Sequence, residues 1–155
     1  MPMMINIATR LLGADKKAVL DLWNNEYPAI LAYADIAAFD AYMDALADKL
    51  HYLLISATGA VLGWAMTFTR DEEKWFAIII DHSMHGRGYG TRMLDRLKDT
   101  ELSLNGWVSV LDTYKKLNGT PYISPLGFYL RNGFALTGHT LDTGQLSAAK
   151  ICWQR

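Results

Sequence analysis

The sequence predicts a mixed α/β fold (α+β in type), with a mostly antiparallel central sheet flanked by helices in the order β-α-α-β-β-β-α-β-α-β-β. Three observations lead there. Apolar residues near the start recur at helical spacing. The middle of the chain switches to short apolar runs between turn residues, and one of them, "FAIII", is continuous enough for a strand buried on both faces. Directly after it, "HSMHGRGYGTRML" (82–94) sets three glycines at alternate positions before an amphipathic segment. At 155 residues, 51% apolar and 20% charged, the chain has the length and composition of one domain, 1–155, with its own core.

The elements follow in order. "MINIATRL" alternates as a first strand. Asp15 is placed to cap a helix running to about Tyr27, in which Val19, Leu22 and Trp23 share a face and Pro28 ends the pattern. "IAAFDAYMDAL" is a second helix, with Phe39, Met43 and Leu46 at helical spacing. "KLHYLLISA" and "VLGWAMTFTR" flank "TGA" as a hairpin, and "DEEK" turns into a third strand, "KWFAIII". Met93, Leu94 and Leu97 mark the inner face of a helix from about Thr91 to Leu104. "NGWVSVLD" is the next strand and ends at Asp112. The loop "TYKKLNGTPYI" then leads to a short helix, "SPLGFYLRN", which Asn132-Gly133 stops with a left-handed cap. "FALTGHTL" and "LSAAKICWQR", joined around "DTGQ", are the last two strands.

A net charge of −1 argues against a generic nucleic-acid coat. The single cysteine, Cys152, leaves no internal disulfide and no cysteine cluster for zinc. No apolar run reaches membrane-spanning length, and "MPMMINIATRLL" lacks the layout of a signal peptide, so the expectation is a cytoplasmic protein with neither membrane nor nucleic-acid partner. Charge is unevenly spread. Residues 18–48 hold six acids and no Lys or Arg, whereas 84–131 hold seven bases against four acids. One region suits a cation and the other an anion.

A buried strand, a glycine turn and a helix start together make an anion-binding arrangement, because first-turn amides are unpaired and the helix dipole adds partial positive charge. Glycines let successive amides turn inward and let a phosphate reach the main chain. The spacing points to a diphosphate. No lysine completes a G-x-x-x-x-G-K-[ST] loop, and G-x-G-x-G in mid-chain is not the G-x-G-x-x-G of a first βαβ unit. His85-Gly86-Arg87-Gly88-Tyr89-Gly90 does resemble the [Q/R]-x-x-G-x-[G/A] signature of the GNAT superfamily of N-acetyltransferases, with His85 in the first position. "FYLRNGF" (128–134) is similar to that family's second motif, "lYexxGF", and the order of elements matches along nearly the whole chain. One departure is Tyr122, where the family often has Asn seven residues before the tyrosine.

The resemblance implies acetyl-CoA as co-substrate. By it, the backbone of Ile78, Ile79 and Ile80 pairs with the pantetheine arm, and His85, Gly86, Arg87, Gly88, Tyr89, Gly90 and Thr91 hold the diphosphate. It makes Tyr129 the general acid that protonates the departing thiolate, whose conjugate acid has a pKa of about 8.5. The base is left open between Asp81 and Asp112, at the expected ends of adjacent strands, and Glu26, where the acceptor would enter. His82 and His85 form an H-x-x-H pair, but a turn does not aim them and no metal is expected. The segment between the first two helices would line the acceptor site, which makes Glu26 and Tyr27 candidate substrate residues. Its acids favour a cationic amine, either a small molecule or an exposed peptide amino group. Two functions follow: an acetyl-CoA-dependent N-acyltransferase, or a non-catalytic acyl-CoA-binding or sensing module on the same fold. The sequence leaves the oligomeric state open, a homodimer included.

Overall fold

A computed structural model describes residues 3–155. The strands are β1 (Met4–Ala8), β2 (Ala47–Ile55), β3 (Val61–Arg70), β4 (Glu73–Ile80), β5 (Ser103–Ser109), β6 (Ala135–Asp142) and β7 (Ser147–Gln154). The helices are α1 (Gly13–Glu26), α2 (Ile36–Asp44), α3 (Tyr89–Lys98) and α4 (Leu126–Arg131). The order of elements is therefore the expected one. All strands join one sheet, β1-β2-β3-β4-β5-β7-β6, antiparallel at every pairing except β4 with β5.

Alternation along the inner strands divides the core in two. Tyr52, Leu54, Ala65, Phe76 and Ile78 pack with Met93, Leu94 and Leu97 of α3 and Tyr129 of α4. Leu53, Trp64, Met66, Phe68, Trp75 and Ile79 face Val19, Leu22 and Trp23 of α1 and Phe39 and Met43 of α2. The apolar run "FAIII" is buried on both faces because β4 lies between two helical layers.

The structure moves two helix boundaries and supplies one cap that the sequence reading did not name. Helix α1 begins at Gly13, so Asp15 sits in its first turn, where a carboxylate suits the dipole, and does not serve as the cap. Helix α2 is capped instead by Asp35, whose Oδ1 accepts from Ala38 N at 2.9 Å. Helix α3 stops at Lys98, because Leu104 is taken into β5 and buried there while Leu102 stays exposed.

The feature that positions the site is the seam between β4 and β5. These strands register only at Trp75 and Asn105, where Asn105 Nδ2 also donates to Lys74 O at 3.1 Å. Beyond that point they diverge into a V. Asp81 N donates to Leu62 O, so antiparallel alternation turns the N–H and C=O of Ile78 and Ile80 away from β3 and into the V.

Candidate active site

The glycine loop closes the open end of the V. Asp81 caps the turn after β4, with Oδ1 accepting from Ser83 N at 2.9 Å and Ser83 Oγ at 2.6 Å. His85 turns back so that Nε2 meets Ile80 O at 2.7 Å, which leaves Ile78 as the free backbone position of the V. Gly86 and Gly88 take φ of +76° and +82°, and a Cβ at either would meet nothing within 4 Å. They supply a left-handed backbone beside open space. Gly90 has a different reason, since a Cβ there would lie 2.9 Å from Phe128 Cζ. Among the described residues, no acceptor takes the amides of 86–91, and Arg92 N is the first to find one, at Gly88 O. Unpaired amides, a helix start and open space suit an anion.

At the other end of the V lies a cavity of about 170 Å³. Its walls come from both layers, with Trp23, Tyr27, Tyr42, Phe68 and Trp75 on one side and Phe76, Ile78 and Tyr129 on the other, and Tyr122 and Ser109 complete it. Tyr129 is 6% exposed, and its ring packs edge-on to Phe76 and Phe134 with centroids 5.6 and 5.5 Å away. Burial, with Tyr122 nearby, pushes its phenol well above the usual range and keeps the proton on oxygen. Burial likewise raises Tyr27 and lifts Tyr122 to about 12.

Local structure explains how these groups arrive. Ser124 Oγ donates to Ser109 O and accepts from Leu126 N, tying the start of α4 to the end of β5. Asn24 grips Tyr33 through Nδ2 to its carbonyl and Oδ1 from its amide, both at 2.9 Å, which fixes the connection that carries Tyr27. The 113–121 loop is held over the end of α1 by Ala29 N to Lys115 O at 2.8 Å and by Lys116 Nζ to Glu26 Oε1 at 3.0 Å.

The candidate bases lie elsewhere. Glu26 Oε2 accepts from His82 N at 3.1 Å and pairs with His82 Nδ1 at 2.8 Å. Burial raises its pKa, but His82 and Lys116 outweigh that and hold the carboxyl below its ordinary value. The same partnership raises His82. Burial also raises Asp81, yet its hydrogen bonds from Ser83 outweigh this and lower it. Asp112 falls three residues beyond β5 and accepts from Ser124 N at 3.4 Å. Among the described residues, no carboxylate lines the cavity. Glu26, Asp81 and His82 bring ligand atoms within 4.8 Å of one another, but the Lys116 ammonium already holds Glu26. His82 and His85 turn to different partners.

The sequence model of the acetyltransferase (GNAT) domain matches residues 48–136, more than half of the chain. The chain belongs to the GNAT acetyltransferase family. No curated protein matches the sequence. Among solved structures, an acyl-CoA N-acyltransferase from Pseudomonas aeruginosa superposes with a TM-score of 0.72 at 11% identity, covering 98% of this chain and 99% of its own. A mutant spermidine N-acetyltransferase from Vibrio cholerae gives 0.68 at 16%, covering 98% and 93%. A GCN5-related N-acetyltransferase from Kribbella flavida gives 0.62 at 14%, covering 99% and 98%. At these identities the likeness concerns the fold. Among the described residues no helix is long and apolar enough to cross a membrane.

Sequence reasoning named the loop and Tyr129 as candidates but did not name Arg70, Trp75 and Trp107, which line the same cavity as Tyr129. The signal lay beside the "DEEK" turn, where Phe68 and Arg70 end one strand and Trp75 begins the next, which sets a cation between aromatic positions on either side of a hairpin.

Proposed function

We propose that this GNAT protein transfers an acetyl group from acetyl-CoA to a primary amine by direct attack on the thioester. The observation that carries the reading is the inner edge of β4. Its free backbone at Ile78 lies between the unpartnered amides of 86–91 and the cavity that holds Tyr129. A diphosphate on those amides would lead an extended pantetheine arm along Ile78, as an added strand would run. The thioester would then enter the cavity, with Tyr129 beside its sulfur. Acetyl transfer to an amine by Vibrio cholerae spermidine N-acetyltransferase, which shares the fold, supports an amine as acceptor class.

The acceptor ammonium first loses a proton to water, since no cavity carboxylate takes it. The neutral nitrogen attacks the thioester carbon and gives its second proton to water, the C–S bond breaks, and the Tyr129 phenol protonates the leaving sulfur and regains a proton from water. The products are the amide, the free thiol and one proton. Asp81 and Asp112 act in this reading by holding the turn after β4 and the start of α4.

The test is thiol release from acetyl-CoA with a panel of primary amines, comparing wild type with Tyr129→Phe. The variant should lose about 10²–10⁴-fold in kcat, as expected for loss of a general acid. Its stability should change little, because the Tyr129 hydroxyl borders the cavity and donates to no side-chain or backbone acceptor among the described residues. Equal kcat in the variant would refute the role of Tyr129. Stabilisation by CoA without release to any amine would favour the sensing module.

A further inference from the structure

We infer that the acceptor amine carries an anionic group, a carboxylate in the simplest case, and that Arg70 receives it in the wall of the cavity. This rests on the acyltransferase reading and narrows its substrate class. Among the described residues, Arg70 is the only charged one lining the cavity. Its guanidinium stacks 4.5 Å from the Trp75 ring centroid and 5.1 Å from that of Phe68, so aromatic faces hold it while its N–H fork stays free. Among the described residues it forms no ion pair. Glu73, its cross-strand neighbour, is taken by Lys150 at 2.9 Å. Trp75, in the same wall, keeps a buried indole N–H without an acceptor. A planar carboxylate matches a guanidinium fork of this kind.

The acids expected to attract a cation are engaged elsewhere. Glu26 holds Lys116 and His82, Asp35 caps α2, Asp40 pairs with Lys16 at 3.0 Å and Asp21 with Lys17 at 2.7 Å. The phenols of the wall remain neutral, with Tyr42 raised by burial to about 12. A polyamine would therefore place a second cation against Arg70 with no counter-charge, whereas an α-amino acid would place its carboxylate there and its apolar side chain among Trp23, Phe68 and Phe76. Specificity then comes from a paired charge that a matched neutral compound leaves unpaired.

The experiment compares kcat/KM, with acetyl-CoA, for L-phenylalanine, its amide, phenethylamine and spermidine, in wild type, Arg70→Gln and Arg70→Lys. CoA-induced thermal stabilisation is recorded for each protein as the control for folding. Comparing acceptor ratios between proteins cancels the different amine pKa values. The expected result is a wild-type preference for the carboxylate of roughly tenfold over both matched neutral amines. Arg70→Gln should erase it, and Arg70→Lys should restore part of it. Equal or better turnover of phenethylamine or spermidine by wild type overturns the inference, as does an unchanged ratio in Arg70→Gln or no turnover of phenylalanine by a protein that CoA stabilises. Failure of CoA to stabilise wild type instead removes the acyltransferase reading, and the inference falls with it.

Discussion

Gly106→Ala offers a sharp test of how the V is built. Gly106 lies in β5 one residue past the single register point, and a Cβ there would sit 2.7 Å from Phe76 Cε1 and 3.0 Å from Cζ. The ring would have to retreat by about 0.7 Å to regain ordinary contact at 3.4 Å. It has little room, because Tyr129 and Phe134 stand at centroid distances of 5.6 and 5.2 Å. Overpacking of this kind costs about 1–3 kcal/mol. The reduced freedom of the unfolded chain returns about 0.4–1 kcal/mol. The net is a loss of up to about 2.6 kcal/mol, about 1.3 kcal/mol at the midpoint, which is a fall in melting temperature of roughly 3–5 °C for a domain of this size. Because Phe76 backs Tyr129, kcat should fall as well. Urea unfolding of the single variants and of Phe76→Leu/Gly106→Ala reads the coupling directly. The double variant should lose less than the sum of the two single losses. A Gly106→Ala protein more stable than wild type, or strict additivity, would refute the packing argument.

The buried His51 gives a pH prediction. Its Nδ1 accepts from Trp64 Nε1 at 3.1 Å, and burial, with Lys49 nearby, lowers its pKa to about 4. The unfolded chain takes up this proton near pH 6.5 and the folded one only near 4, so the stability His51 contributes is complete above 6.5 and falls as the pH drops between those values. His51→Gln should flatten that slope in urea midpoints measured from pH 4.5 to 7, and an unchanged slope would assign the acid sensitivity to other groups. Glu26 makes a second case: its lowered pKa means that its pairing is present above the ordinary carboxyl value of 4.5 and is lost as pH falls through the folded value. Glu26→Gln at pH 7 removes the counter-charge of Lys116, whose side chain is 16% exposed, and should cost about 1–3 kcal/mol. It should also speed proteolysis within 113–121, whereas an unaltered cleavage rate would mean that the ion pair does not hold the loop.

What the sequence disclosed was what local pattern controls. The order of elements followed from periodicity, and the packing of β4 on both faces followed from "FAIII" between turns. The end of α3 was misjudged because Leu104 keeps helical phase with Leu97 yet belongs to β5, where pairing with Trp153 overrides local spacing. The glycines at 86, 88 and 90 look equivalent in sequence, but the structure separates two that provide positive φ beside open space from one that yields to Phe128. The V is a matter of register between strands 30 residues apart, at Trp75 and Asn105, so no local signal announces it. Charge was visible but its partners were not. The acid-rich 18–48 segment reads as a mouth for a cation until Lys16, Lys17 and Lys116 are seen to pair with three of its six carboxylates, while none of the six lines the cavity that Arg70 borders.

The most direct test of the central claim is thermal unfolding with acetyl-CoA, CoA, NAD and ATP tested separately, in wild type and in Gly88→Asp. A ligand of the folded state at ~100 times its dissociation constant adds about 2.7 kcal/mol, roughly 5–10 °C here. Acetyl-CoA and CoA alone should produce that shift. Gly88→Asp should abolish it, because a carboxylate at a position with φ of +82° meets the ligand's phosphates in the space the glycine leaves open. No shift with either CoA species, or an equal one with NAD or ATP, would contradict the assignment of the loop and the function built on it.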